Sequence, residues 1–167
     1  MEGRHTRALV QDMVKAKLIT KESENNAVQL KDKTITIQRK NSTDSDLLLN
    51  IFLTDLLYSN LVKIYDQMKK RRGVEVLGDL DFEVVHKIDN KGERIAKFKG
   101  NKITVKSDMI RFPKLVLQYI VAHEVTHIAH KRHTKRFWKT VNHLCPKYEN
   151  AQMILSKYEG PLKHASS

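Results

Sequence analysis

The sequence predicts an α+β fold, and three observations carry that prediction. Residues 46–71 and 115–131 each place apolar side chains at helical spacing over several turns, as helices with one face against a core do. Between them, residues 74–106 break into short runs rich in β-branched residues, separated by Asn/Gly turns. That is the pattern of a small antiparallel sheet of about three strands. The composition is 40% hydrophobic and 30% charged, with three prolines and six glycines in 167 residues. Such a chain has the apolar content for a packed core and the length for one domain with an appended arm.

Taken in order, Leu9, Val10, Met13, Val14, Leu18 and Ile19 recur at helical spacing and predict one helix, or two short ones, over residues 4–30. Thr34–Arg39 is β-branched and predicts a short strand. Residues 1–40 are thus expected to form an N-terminal helical arm with a short strand, and residues 41–167 the main domain. Asn41–Ser45 is a polar loop, and Ser45 or Asp46 is placed to cap the next helix. In residues 46–71 the stripe runs through Leu47, Leu48, Ile51, Phe52, Leu56, Leu57, Leu61, Val62, Ile64, Tyr65 and Met68. It stops at Lys69-Lys70-Arg71-Arg72-Gly73, cations followed by Gly as at a helix end. Strand character lies in Val74–Leu77, Phe82–Val85, Arg94–Lys99 and Lys102–Lys106, with turns at Asp89–Gly92 and Gly100-Asn101. Pro113 suits the first turn of the helix that follows. A third helix over Thr134–Leu144 carries Phe137, Trp138, Val141 and Leu144 and ends before Pro146. Residues 147–159 add a short helix, and the tail from Gly160 is expected to be loose.

The net charge is +12, and the excess is uneven. Residues 1–40 carry nine Lys/Arg against five acids, residues 41–110 twelve against eleven, and residues 111–167 ten against three. A basic surface attracts polyanions, so nucleic acid is one partner the charge permits. Cys145 is the single cysteine, which excludes an intrachain disulfide and a cysteine-rich zinc module. The N-terminus lacks an apolar signal core, and no uninterrupted apolar run approaches the roughly 20 residues of a membrane span. The expectation is a soluble, cytoplasmic protein with no membrane span. The oligomeric state is not legible.

Five of the eight histidines fall between His123 and His143. His123-Glu124-Val125-Thr126-His127 is an H-E-x-x-H pattern on a predicted helix. Positions four apart on a helix lie within roughly 40° of one another, so one metal can bridge His123 and His127. Glu124 sits beside the first of them, where a carboxylate takes a proton from a metal-activated water. A catalytic zinc takes three protein ligands and leaves a position open. His130 shares the helical face but lies about 4.5 Å beyond His127 along the axis. His133 would lie about 9 Å beyond it if the helix continued, so it reaches the metal only if the helix ends between residues 129 and 132. Lys131-Arg132 suits such an end. His133 is favoured, His130 is expected to line the cleft, and Glu149 stands behind both. An oxyanion would need a further donor, for which Tyr148, His143 and His130 are the candidates.

The stretch from His123 through Ile128-Ala129-His130-Lys131-Arg132-His133-Thr134-Lys135-Arg136-Phe137-Trp138 resembles the signature of the YgjP-like small zinc metallopeptidases. These are similar to the SprT-like and WLM groups and to the archaeal minigluzincins. The pattern is H-E-L-x-H, a third His six residues on, a small polar residue, then x-x-F-W. The resemblance is close over about residues 115–148, weaker over 46–114 and absent from the first 40. Val125-Thr126 departs from the usual Leu and small residue. Metzincins share the outer spacing but have a Gly where His130 stands, and rank lower. The resemblance implies one Zn2+ per chain held by His123, His127 and His133, Glu124 as general base, and a polypeptide substrate. It implies a zincin-like fold, with a long backing helix over 46–71 and an active-site helix beneath the sheet. The sheet's edge strand would pair with extended substrate, and Lys102, Ile103, Thr104 and Val105 are the candidate for it. A SprT-like enzyme acting on DNA-bound proteins and a non-catalytic metal-binding module are the alternatives. A tail carrying His164 that covers the site is a further expectation.

Overall fold

The computed structural model describes residues 2–10, 14–40, 43–71, 79–89 and 94–157, with side chains described from residue 17 onward. Val74–Leu77, Gly73, most of the Asp89–Gly92 turn and the tail with His164 lie outside these residues. The fold is α+β, with two sheets and four α-helices among the described residues. The chain divides into two compact units, residues 1–56 with 110–113, and residues 57–109 with 114–167.

The first unit holds a four-stranded sheet, β1 (Glu2–Val10), β2 (Val14–Glu22), β3 (Ala27–Lys31) and β4 (Thr34–Arg39), in the order β1-β2-β4-β3. The helix expected over residues 4–30 is therefore three strands. The cause lies in the spacing. Val14 and Leu18 are four apart, which places them on one face of a helix and equally on one face of a strand. Val14, Ala16, Leu18 and Thr20 alternate with Lys15, Lys17, Ile19 and Lys21, and period two is the one realised. Strands β1 and β2 pair antiparallel, β2 and β4 parallel, and β3 and β4 antiparallel. The β3–β4 hairpin closes through Asp32 and Lys33 at φ 49° and 59°. Two positive φ angles in a two-residue loop match the strands' own twist. Leu18, Ile35 and Ile37 form the buried face, with Val28, Leu48, Leu49, Leu53 and Leu56 packed against it.

Helix α1 (Ser45–Lys69) begins at Asp44, whose Oδ1 accepts from the backbone N–H of Asp46 at 2.9 Å. The cap is thus one residue before the Ser45 or Asp46 expected from sequence. In the second unit α1 buries Leu57, Leu61, Ile64, Tyr65 and Met68, and Tyr65 meets Phe82 edge-on at 5.8 Å. Helix α1 also has the length and composition of a membrane-spanning helix. The sequence expectation of no such segment rested on unbroken apolar runs, which Asp55 and Lys63 interrupt here. Core helices of soluble proteins share this length and composition.

The second sheet holds β5 (Asp81–Val85), β6 (Ala96–Lys99) and β7 (Lys102–Lys106), in the order β5-β7-β6. It has the expected three strands, but it is mixed: β5 runs parallel to β7 and β6 antiparallel to it. Gly100 at φ 64° makes the β6–β7 turn. A 3-10 turn (Ser107–Arg111) leads to Pro113 and α2 (Lys114–Ala129), followed by α3 (Lys135–Leu144) and α4 (Tyr148–Ser156). Helix α2 buries nine of its sixteen residues and packs against α3, α4 and β6.

Candidate metal centre

Helix α2 ends at Ala129, inside the interval that the sequence required. Its last backbone bond runs from the His130 N–H to the Thr126 carbonyl at 3.0 Å. The chain then turns through Lys131–Arg132, and Thr134 caps α3 by accepting from the Phe137 N–H at 3.3 Å. This short loop reverses the path at His133 and returns its ring toward α2.

The result is a cluster of three imidazoles. One ligand-type nitrogen from each of His123, His127 and His133 lies within 4.8 Å of the others. His127 Nε2 and His133 Nε2 are 3.1 Å apart. Two nitrogens on a tetrahedral zinc, at 2.0–2.1 Å each, would lie about 3.3 Å apart, so this pair already has close to the required spacing. His127 Nδ1 faces the His130 carbonyl at 3.1 Å. A carbonyl only accepts, so Nδ1 carries the hydrogen and Nε2 is left with a lone pair. That outer contact is the one that fixes ring orientation in histidine–metal sites. Burial holds the His127 imidazole below its ordinary pKa, with His123 adding to the effect and Glu124 opposing it. Burial likewise lowers His133, with His123 and His127 adding to it. Both shifts favour the neutral ring that a metal takes. The donor set therefore fits a divalent metal of the zinc type.

Glu124 is 2% exposed, and its Oε1 lies 3.5 Å from His123 Nδ1. Behind the cluster sits Phe137, fully buried, with its ring 4.7 Å from those of His127 and His133 and 5.2 Å from that of His123. Trp138 lies 5.8 Å from His133 and stacks on Tyr148 at 5.5 Å and 23°. Tyr148 stacks in turn on Tyr119 at 6.5 Å, and Tyr119 meets His123 edge-on at 5.9 Å. Gln152 Nε2 donates to the Tyr119 hydroxyl at 3.2 Å. Neither Tyr119 nor Gln152 was expected at the site from the sequence. Tyr119 did carry a signal, since it precedes His123 by four residues and so shares its helical face.

The other expected site residues divide. His130 contributes its carbonyl to His127, and its ring is not in the three-histidine cluster. His143 is exposed on the last turn of α3, where its carbonyl accepts from Arg71 Nη1 at 3.0 Å. Tyr148 is half-buried in the aromatic stack, and its hydroxyl lies 3.5 Å from Glu149 Oε1. Lys102, Ile103, Thr104 and Val105 do not form an edge. They belong to β7, which is paired on both sides, so its main-chain groups are already used. Among the described residues the sheet's edges are β5 and β6, and of the two β6 is the one that packs on α2.

The chain matches the model of the YgjP-like family, metallopeptidase domain, over residues 4–158. The match includes nearly all of the first forty residues, which the sequence resemblance had left outside. No curated protein matches the chain. Among solved structures, the metallopeptidase zymogen of Pyrococcus abyssi abylysin is similar at a TM-score of 0.47 and 17% identity, over 64% of this chain and 99% of that one. A metallopeptidase hydrolyses polypeptide with a divalent metal, usually zinc. The chain belongs to the YgjP-like metallopeptidase family.

Proposed function

We propose that the chain is a zinc-dependent peptidase in which His123, His127 and His133 hold one Zn2+ and Glu124 is the general base. The observation that carries this reading is the 3.1 Å separation of His127 Nε2 and His133 Nε2 within the three-histidine cluster. Zinc bound there would supply Lewis acidity, polarising the scissile carbonyl and bringing a water toward a pKa of about 7. The Glu124 carboxylate takes the proton from the attacking water and delivers it to the leaving amine. Its placement one residue after His123 keeps it at the cluster, and its burial shields it from bulk solvent. Tyr148 is the favoured oxyanion donor over His130 and His143, because its ring stacks on the Trp138 that borders His133. Extended substrate pairs with β6, an edge strand among the described residues, since β7 is paired on both sides.

The test is metal analysis joined to proteolysis profiling of wild type and Glu124→Gln. Both proteins should carry one zinc per chain. The variant should lose at least about a hundredfold in kcat/KM, the scale of a missing general base. Wild type without stoichiometric metal, or a Gln variant that cleaves at the wild-type rate, would overturn the assignment.

A further inference from the structure

The loop and helix that carry His133 are more basic than their own structure requires. Residues 125–148 hold six Lys/Arg and no Asp/Glu. Five of these cations, Lys131, Arg132, Lys135, Arg136 and Lys139, fall within nine residues, and all five are exposed. Elsewhere Lys69, Arg94, Lys97, Lys102 and Lys106 are paired with carboxylates. Among the described residues none of the five is.

The placement is unfavourable for α3 itself. The amino end of a helix carries partial positive charge and favours Asp or Glu. Lys135 and Arg136 occupy that first turn, and no acid does. Lys135 and Lys139 are like charges four apart, which also weakens a helix. They contribute no core packing, because the buried side of α3 is Phe137, Val141 and Leu144. Lys135 and Lys139 each lie about 160° around the helix from Phe137. Consecutive departures from helix rules without a structural return collect at functional surfaces.

We propose that this acid-free basic face selects substrate, by holding an Asp/Glu-rich stretch of polypeptide next to the scissile bond. The inference rests on the metallopeptidase reading above and names the substrate class. The face begins in the very loop that presents His133, so a polypeptide lying across the metal centre runs onto it. A nucleic acid fits less well. The aromatic residue beside this face is Trp138, already stacked on Tyr148 at 5.5 Å, which leaves its ring poorly placed to take a base. Charge complementarity of this kind acts within about one Debye length, roughly 8 Å at physiological salt. The preference therefore concerns carboxylates within a few residues of the cleaved bond.

The experiment uses the zinc-loaded full chain and two fluorogenic peptides with one cleavable core, flanked by about four acidic residues or by their amide counterparts. The acidic peptide should have about tenfold the kcat/KM of the amide peptide near 50 mM salt, and the ratio should fall toward one near 500 mM. In Lys135→Gln/Arg136→Gln/Lys139→Gln the ratio should collapse at low salt, with zinc content and fold intact by metal analysis and circular dichroism. A wild-type ratio near one, or an unchanged ratio in the triple variant, overturns the proposal. Loss of duplex-DNA binding in that variant with the peptide ratio unchanged would assign the face to nucleic acid instead. Peptide binding to Glu124→Gln, followed by fluorescence anisotropy, separates this proposal from the reaction it rests on. Tighter binding of the acidic peptide without cleavage by wild type leaves the surface standing and removes the reaction. Equal binding of the two peptides removes the surface.

Discussion

Phe137 is the residue whose removal tests how the metal centre is held. Its ring is fully buried and touches the rings of all three histidines, at 4.7, 4.7 and 5.2 Å, and that of Trp138 at 5.1 Å. It forms a common floor for the cluster, with Trp138 and Tyr119 against its sides. Phe137→Ala removes that floor. Burial at this level puts the cost at about 3–5 kcal/mol, a large share of the roughly 5–15 kcal/mol that holds a domain together. Because the void opens under the ligands, zinc affinity should also fall, by about 10–100-fold as when supporting contacts of a metal site are lost. Phe137→Leu keeps most of the volume and should cost about 1.5 kcal/mol or less, with zinc retained. Urea unfolding of metal-free protein measures the first quantity, and competition with a zinc chelator measures the second. A loss below about 1 kcal/mol in Phe137→Ala would refute the packing assignment. A full loss of stability with unchanged zinc affinity would refute the link to the ligands, and would mean that the 130–134 loop alone aims His133.

Thr134→Ala should cost about 1 kcal/mol in urea unfolding by removing the α3 cap, while Thr134→Ser should stay near wild type; equal effects of the two would show that the hydroxyl is not the cap. Stripping the metal should lower Tm by about 8–16 °C, since a ligand at 1,000 times its Kd contributes about 4 kcal/mol to a protein of this size. An unchanged melting curve after chelation, with metal loss verified, would argue against a site that closes on folding. Burial pushes the Cys145 thiol above its ordinary pKa, with the Lys147 backbone and Arg71 opposing the shift. Less thiolate is then present at any pH below that value, so a disulfide reagent at pH 8 should react far more slowly in native protein than in urea. Equal rates would show that Cys145 is open to solvent.

The three-histidine cluster was more legible in the sequence than the sheets were, and the reason is physical. A ligand pair four apart on an apolar helix has one geometric outcome. The stop at Ala129 followed from what His133 would need, and Lys131-Arg132 marked it. Thr134 and Phe137 were visible as residues; the cap at Thr134 is local to α3, but the work of Phe137 as floor depends on where α3 docks. The N-terminal region failed because Val14 and Leu18 satisfy both periodicities. The choice there is made by partners, with β4 supplying the pairing that turns Lys17–Glu22 into strand. Asp32-Lys33 gave no warning of a hairpin, since neither residue is the Gly or Asn that usually accepts positive φ.

The misplaced substrate edge has a different origin. Lys102-Ile103-Thr104-Val105-Lys106 alternates, and alternation reports which face of a strand is wet. It does not report what lies beside the strand. In β7 the three central residues, Ile103, Thr104 and Val105, are all buried, and Thr104 is flanked by Glu83 on one side and Lys97 on the other. A run buried on both faces belongs to an inner strand. The lateral order follows from β5 joining β7 in parallel, a pairing between distant segments that leaves no local trace. Once β7 is inner, its N–H and C=O groups are committed to the ladder, and no extended polypeptide can add there without breaking bonds that hold the sheet. Among the described residues the edge strand against α2 is Ala96–Lys99. The same helix and the same strand sequences therefore move the edge available to the proposed substrate from β7 to another strand, and strand order alone decides it.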